Sequence, residues 1–262
     1  MSITGKPRPE ALIPLTDMVD ESIAYLKEHE PPEGYFVGFS GGKDSIVTLE
    51  LCRMADVKHL AFYSATGIDP PEAVRFIKDH YPEIQFLKPP MTFWEAIRKK
   101  SPPLRMRRWC CTILKKDPAK PKFIEALVGN PLLHRIMGIR AEESFRRASW
   151  GQTAKMGRMW MYKPIFNWRE WHVWDFIEER GLLYPSLYDE GFGRIGCMIC
   201  PFFMGKNQTK LNLHKDRWPA TYRIFEKVVT DWFENFRNDR QQKYSEQTAQ
   251  EYLAAYYRGF QS

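Results

Sequence analysis

The fold is decided by residues 35–45, which read YFVGFSGGKDS. The apolar run of 35–39 predicts a short buried strand, and the apolar positions that follow residue 45 predict a buried helix. The turn between them contains Gly41 and Gly42, where the backbone can approach a ligand without a Cβ in the way. The free N–H groups and the dipole at a helix start favour an anion there. The sequence therefore predicts a strand–loop–helix unit that holds phosphate groups.

The loop is not the common P-loop, because only three residues separate Gly38 from Gly42 and Asp44 follows Lys43. By itself, a double glycine is also compatible with an ordinary turn between a strand and a helix. The complete SGGKDS string is more specific and resembles the PP-loop of the ATP pyrophosphatases, which cleave ATP between its α and β phosphates. The resemblance implies that residues 34–54 bind the nucleotide, through Phe39, Ser40, Gly41, Gly42, Lys43, Asp44 and Ser45.

Strands and helices alternate along most of the chain. The pattern predicts strands at 35–39, 59–64, 84–87 and 135–139, and helices at 16–29, 46–54, 70–81, 92–100 and 169–180. This alternation predicts an α/β fold, with an open, mostly parallel sheet and helices on both faces. From residue 211 the strands stop, and aromatic or apolar residues recur at helical spacing: Trp218, Tyr222, Phe225, Val229, Trp232 and Phe236. We therefore expect a domain of 1–210 and a C-terminal α-helical extension of 211–262, whose apolar face is core or a homodimer contact.

Composition limits the class of protein. Of the 262 residues, 44% are hydrophobic and 15% aromatic, which supports a large core and excludes general disorder. No apolar run reaches about eighteen residues, and residues 1–10 carry no secretory signal, so we expect a cytoplasmic protein with no membrane partner. A formal net charge of +7 suits a polyanionic ligand such as a nucleotide or a nucleic acid.

Four of the five cysteines form two close pairs, Cys110–Cys111 and Cys197-x-x-Cys200. The odd total argues against a disulfide framework. Paired thiols can be buried core residues, zinc ligands or iron–sulfur ligands, but a tandem Cys-Cys is awkward for a zinc knuckle. Ligation of a [4Fe–4S] cluster, which needs four soft thiolates, fits best. The remaining cysteine, Cys52, follows the loop in the predicted helix and is expected in the core.

The same cysteines carry a second resemblance. Residues 110–118 have the form CC-x₃-K-x₂-P of the adenosine phosphosulfate reductase family, and 64–72, 136–146 and 163–201 are similar to further segments of that family. The resemblance covers about residues 30–205 and implies an adenine nucleotide α-hydrolase-like sheet. It further implies a [4Fe–4S] cluster on the four paired cysteines. The nucleotide-binding residues that it adds are Asp69, Glu72, Lys115, Gly138, Arg140, Glu143 and Arg146.

Two features separate the chain from the reductases. Those enzymes need a further C-terminal cysteine whose thiolate attacks the substrate sulfur, and here no cysteine follows Cys200. They also often carry eroded loops, whereas SGGKDS is complete. An intact loop with reductase-type cysteines resembles the sulfur-transfer ATP pyrophosphatases of DNA phosphorothioation, the Dnd- and Ssp-type systems.

The phosphorothioation resemblance implies adenylation of a DNA backbone phosphate by ATP and Mg²⁺, followed by replacement of an oxygen with sulfur. Lys43, Asp44 and Arg140 would be the catalytic residues. DNA, a cysteine desulfurase and other phosphorothioation proteins would be the partners. The alternatives are a phosphoadenosine or adenosine phosphosulfate reductase of sulfate assimilation, a tRNA-thiolating enzyme, and a nucleotide-binding scaffold without catalysis.

A basic stretch lies at 98–116, around the first cysteine pair. Its simplest interpretation is a solvated helix face and loop. The functional alternatives are a clamp for nucleotide phosphates and a path for a DNA backbone, because lysine and arginine bind phosphate oxygens.

Overall fold

The computed structural model describes residues 14–205, 207–237 and 248–260, except for the side chains of residues 236 and 237. The strands are β1 Tyr35–Phe39, β2 His59–Ser64, β3 Gln85–Leu87, β4 His134–Met137, β5 Thr153–Met156 and β6 Met159–Tyr162. The helices are α1 Leu15–Glu28, α2 Lys43–Met54, α3 Pro71–His80, α4 Phe93–Lys99, α5 Trp109–Cys111, α6 Pro121–Val128, α7 Phe145–Ala148, α8 Glu170–Glu179, α9 Gln208–Arg217, α10 Pro219–Arg237 and α11 Ala249–Arg258. The rest of the predicted C-terminal extension, 238–247 and 261–262, lies outside the described residues.

Packing divides the chain into two compact units. The sheet unit comprises 1–64, 71–87 and 119–195, and the helical unit comprises 65–70, 88–118 and 196–262. The helical unit thus draws two segments from the middle of the chain, whereas the predicted domains meet once, at residue 210. That boundary stays a prediction.

The sheet unit contains six strands in the order β3-β2-β1-β4-β6-β5. All neighbouring pairs are parallel except β5 and β6, which are antiparallel. β1 lies in the centre, where Gly38 is in register with Phe62 of β2 and Met137 of β4. The predicted α/β class and mostly parallel sheet are confirmed.

Helices cover both faces of the sheet. Successive strand residues point to opposite faces, and Tyr35 donates a hydrogen bond from its hydroxyl to Leu26 O of α1. Phe36, on the other face, packs in a buried cluster with Phe62 and with Ile124 of α6. The two-faced cover that alternation predicts is therefore present.

The nine predicted helices and strands are confirmed to within three residues, and the largest difference is the start of α2, which lies at Lys43 and not at residue 46. Sequence periodicity did not predict α5, α6, α7 or the hairpin of β5 and β6, whose two-residue turn has Gly157 at φ +61°. The hairpin strands are short and mostly solvent-accessible, so they lack the apolar run that marks a buried strand.

The helical unit has its own apolar core. Phe93 and Ile97 of α4 pack with Phe225 and Val229 of α10 and with Tyr252 of α11. The helical stripe that begins at Trp218 is therefore buried core along its described part; the side chain of Phe236 lies outside the described residues. A capping box begins α4, because Thr92 accepts from Glu95 N–H at 3.2 Å and the Glu95 carboxylate accepts from Thr92 N–H at 2.7 Å.

Among the helices of the described residues, none has the length and hydropathy that crossing a membrane requires.

Candidate functional site

The predicted loop lies at the point where the sheet changes direction. From β1 the chain builds outward through β2 and β3 on one side, and it later returns to β4 on the other side of β1. In open parallel sheets, ligands bind at the carboxyl ends of the strands that flank such a point. Residues 40–45 follow β1, and residues 138–140 follow β4. Strand order therefore brings together two segments that are almost a hundred residues apart.

Glycine is required at two positions of this site. Gly41 has φ +70°, and a Cβ there would lie 2.8 Å from the Ile77 side chain. A Cβ on Gly138 would lie 2.6 Å from the carbonyl oxygen of Asp44, so Gly138 lets β4 approach the first turn of α2. The predicted binding residue Gly138 thus has a visible packing role.

The two serines shape the loop from inside. Ser45 Oγ donates to Gly42 O at 2.8 Å and accepts from Ser40 N–H at 3.1 Å, and the two hydroxyl oxygens are 3.1 Å apart. Ser45 is buried. These bonds fix the turn in the shape that precedes the start of α2.

Asp44 and Arg140 form a close ion pair. Arg140 donates from Nε to Asp44 Oδ1 at 2.6 Å and from Nη1 to Glu142 Oε2 at 2.7 Å. Its backbone N–H also donates to the Glu143 carboxylate at 3.1 Å. Arg140 is only 4% exposed. Burial alone would lower its pKa, but the charge and hydrogen bond of Asp44 outweigh this and raise it. Arg140 is therefore a fixed cation beside the loop.

Lys43 is a second buried cation, 3% exposed. Its Nζ donates to Gly193 O at 3.2 Å and lies 3.4 Å from Glu170 Oε1 and 3.7 Å from Asp44 Oδ2. Its backbone N–H donates to the Tyr188 hydroxyl at 2.9 Å. Tyr188 therefore accepts one of the helix-start N–H groups that a phosphate oxygen would use.

Other predicted nucleotide residues have different surroundings. Phe39 is a core residue whose ring packs 4.9 Å from that of Tyr81. Glu72 lies in the first turn of α3. Arg146 is exposed on α7, while its neighbour Arg147 makes the ion pair with Glu143.

Asp69 and Lys115 lie in the helical unit, with the cysteines. Asp69 Oδ2 accepts from Thr66 N–H at 3.0 Å, and its Oδ1 is 3.8 Å from Cys197 Sγ. The pKa of Lys115 is raised chiefly by the charge of Cys197 and further by Asp69, although burial acts in the opposite direction. The structure therefore groups both residues with the thiols, and their predicted role in nucleotide binding stays a prediction.

All four paired cysteines lie in the helical unit, and the pKa of Cys110 is shifted by each of the other three. The Cys110 thiol donates a hydrogen bond to Cys111, which raises the pKa of Cys110 and lowers that of Cys111. Charges on Cys197 and Cys200 raise the pKa of Cys110 further. Burial raises the pKa of Cys197 to about 11, and Lys115 opposes this shift. By contrast, Cys52 is fully buried in α2 with a pKa raised to about 12, as expected for a core thiol.

Within the described residues, no three of the histidine, cysteine and carboxylate side chains form a group that could hold one metal ion. A [4Fe–4S] cluster makes a different demand, because each of its four cysteines binds a separate iron. The chemistry of the residues present fits that donor set. The four thiols lie in one unit, the charges of the other three raise the pKa of Cys110, and the nearby cation Lys115 stabilises thiolates.

Sequence reasoning missed Glu142, Glu170 and Tyr188 as site residues. Tyr188 lies in a segment with family resemblance, but nothing in its spacing links it to the Lys43 N–H. Glu170 begins α8, whose apolar pattern predicts only a helix. Both contacts depend on tertiary packing across more than a hundred residues.

The structure is an α/β fold with an open, mostly parallel sheet and a glycine loop at the point where the strand order reverses. A family model described as phosphoadenosine phosphosulfate reductase domain matches residues 34–202, which is more than half of the chain. The chain therefore belongs to the phosphoadenosine phosphosulfate reductase domain family.

Two relatives and one solved structure illustrate the similarity. An uncharacterized protein of Methanocaldococcus jannaschii is 34% identical over 208 residues, which cover 76% of this chain and 42% of that protein. An adenosine 5'-phosphosulfate reductase of Staphylococcus haemolyticus is 32% identical over 130 residues, covering 47% of this chain and 51% of that protein. The chain thus spans about half, or less, of these relatives. The crystal structure of phosphoadenylyl-sulfate reductase from Candida auris in a phosphate complex has a TM-score of 0.52 at 18% identity, covering 73% of this chain and 98% of that chain, which shows a shared fold.

Proposed function

We propose that this chain is an ATP pyrophosphatase that adenylates a non-bridging oxygen of a DNA backbone phosphate. A sulfur nucleophile then forms a bond to the DNA phosphorus, and the adenylated oxygen leaves as part of AMP. The observation that carries the proposal is the complete loop of 40–45, with two buried cations, Lys43 and Arg140, beside it. Carboxylates hold both cations in place at the loop, Arg140 through Asp44 and Glu142, and Lys43 through Glu170 and Asp44. Positive charge fixed in this way beside free helix-start N–H groups favours an anionic ligand such as a phosphate.

The chemistry on the nucleotide requires no side-chain nucleophile. The acceptor oxygen forms a bond to the α-phosphorus, the bridging bond from that phosphorus to the β-phosphate oxygen breaks, and pyrophosphate leaves with the electron pair. Catalysis is then positioning and charge stabilisation. The amides of 41–44, Lys43 and Arg140 would bind the negative charge that develops on pyrophosphate, whereas the Ser45 N–H already donates to Gly42 O at 2.9 Å. For the Lys43 N–H to take part, the Tyr188 hydroxyl must yield its hydrogen bond.

Mg²⁺ would neutralise phosphate charge in such a reaction and prefers carboxylate and phosphate oxygens. Asp44 is the loop carboxylate that would hold it, since its Oδ2 is less tightly engaged than Oδ1. Arg140 fixes the orientation of Asp44 through Oδ1.

The sulfur side of the proposal rests on Cys110, Cys111, Cys197 and Cys200. They would hold a [4Fe–4S] cluster, which supplies thiolate-ligated iron to the helical unit. Lys115 and Asp69 contact Cys197 and would set the local charge around the thiolates. Protein purified without oxygen should carry stoichiometric iron and sulfide; stoichiometric zinc in colourless protein would contradict the assignment.

The second candidate is a phosphosulfate reductase, which the family and the staphylococcal relative favour. That reaction needs an attacking thiolate besides the cluster ligands. Within these 262 residues the remaining cysteine is Cys52, which is buried with a raised pKa. The reductase reaction would therefore require a thiol from elsewhere.

The experiment compares host strains. The gene is deleted and complemented with the wild type, with Lys43→Ala, or with Lys78→Ala, a matched change at an exposed lysine of the same unit. Digested genomic DNA is searched for phosphorothioate dinucleotides by mass spectrometry. We expect them with the wild type and Lys78→Ala, and their loss after deletion and with Lys43→Ala. DNA without phosphorothioates in every strain, together with loss of growth on sulfate after deletion, would establish the reductase instead.

A further inference from the structure

The helical unit contains a cavity of about 670 Å³ with a strongly basic wall. Five cations line it: Lys99, Lys100, Arg107, Arg108 and Lys116. Its lining in the described part of the chain includes no carboxylate. The sequence showed only a basic stretch, whereas the structure gathers these charges around one concave space.

Among the residues that the structure describes, no carboxylate lies within ion-pair distance of these five cations, although Lys99 acts electrostatically on Glu95, one turn earlier in α4. Ion pairs occur elsewhere in the described chain, but none involves these side chains. Like charges around one cavity repel one another, and a polyanionic ligand would relieve this repulsion. Lys99, Lys100, Arg107 and Lys116 are solvent-exposed, so their charges are open to an anionic ligand.

The wall of the cavity is held in shape by aromatic contacts. The Arg108 guanidinium lies 4.6 Å from the ring centre of Phe202, and that of Arg105 lies 5.6 Å from it. Trp109, which lines the cavity, donates from Nε1 to Ser101 O at 3.0 Å. These contacts restrict Arg108 and Trp109 and so reduce the entropy lost when a ligand binds.

We infer that this cavity binds a single-stranded nucleic acid segment, with its phosphates on the five cations. Sites for single strands combine cations, which attract the phosphate backbone, with aromatic rings on which bases stack. Trp109 is the aromatic residue of this cavity's lining. A flat anionic membrane would not enter a concave space. Cys111 also lines the cavity, so a bound strand would lie beside one of the four cysteines that are proposed to bind the [4Fe–4S] cluster. The identity of this strand as the sulfur acceptor rests on the proposed function, whereas its binding does not.

The test measures fluorescence anisotropy of a labelled single-stranded DNA of about 16 nucleotides, with the full chain and without ATP. Five phosphate contacts predict a log–log salt slope of about −3.5, hence a loss in affinity of about 100-fold between about 50 and 200 mM salt. The cavity variant Lys99→Gln/Lys100→Gln/Arg107→Gln should reduce the slope to about −1.4. The control Lys210→Gln/Arg223→Gln/Lys227→Gln removes equal charge from exposed positions of the same unit, outside the cavity lining, and should keep the original slope.

Equal losses in the two variants would overturn the inference, because binding would then follow net charge alone. Displacement of the strand by AMP, pyrophosphate or polyglutamate at equal charge concentration would also overturn it, as would equal binding of a duplex. Since the assay contains no ATP, failure of the proposed ATP cleavage leaves its result intact. Conversely, ATP cleavage without strand binding would refute this inference alone.

Discussion

Replacement of Arg140 by methionine tests the ion pair at the loop. Arg140 makes two charge-assisted side-chain bonds, to Asp44 at 2.6 Å and to Glu142 at 2.7 Å. Breaking a buried pair usually costs about 3–5 kcal/mol. The partners' side chains are 19% and 37% exposed and can regain water, so we expect a loss in unfolding free energy of about 2–3 kcal/mol. That corresponds to a Tm lower by about 4–12 °C.

Catalysis should suffer more than stability. Loss of one preorganised charge donor reduces turnover by about 10²–10³-fold. Tm is measured by circular dichroism, and pyrophosphate release is measured at a temperature where both proteins are folded. The matched control is Arg180→Met, which breaks a surface pair with Glu50 in the same unit and should cost less than about 1 kcal/mol without loss of turnover. If Arg140→Met kept turnover within about threefold of the wild type, far above the range expected for a lost charge donor, the assigned role of Arg140 would be refuted.

Three further predictions follow from single contacts. Tyr188→Phe frees the Lys43 N–H and should tighten ATP binding by about 2–10-fold in calorimetry; weaker binding would show that the hydroxyl contacts the nucleotide. Phe225→Ala removes a fully buried ring from the core of the helical unit, and guanidinium unfolding should show a loss of about 3–5 kcal/mol; a loss under about 1 kcal/mol would contradict the described core. Cys52, with its pKa raised to about 12 by burial, stays protonated at about pH 8 and should resist alkylation in the native chain until it unfolds; rapid labelling, read by mass spectrometry, would contradict its burial.

Local features of the site could be predicted because their causes lie within a few residues. The turn at Gly41 and Gly42 and the start of α2 follow from glycine conformation and strand–helix patterning. The cover of both sheet faces follows from the alternation of elements. The core position of Cys52 also follows from its place in a buried helix.

Contacts across the chain could not be predicted in the same way. Asp44 meets Arg140 because β1 and β4 are neighbours in the sheet, and strand order is not written in local periodicity. The Tyr188 hydroxyl reaches Lys43 across 145 positions. Packing also places Asp69 and Lys115 beside the Cys197 thiol, a contact that their motifs alone do not predict. Such placements depend on the free energy of the whole fold.

The position at which ATP is cleaved tests the central claim most directly. The purified chain is incubated with Mg²⁺, a single-stranded DNA acceptor and ATP labelled at the α phosphate, and the products are separated and counted. If residues 40–45 bind the pyrophosphate that leaves, each cleaved ATP yields one pyrophosphate and one labelled AMP, free or joined to the acceptor. Lys43→Ala should abolish both products. Labelled ADP with inorganic phosphate, or turnover that Lys43→Ala leaves unchanged, would contradict the account.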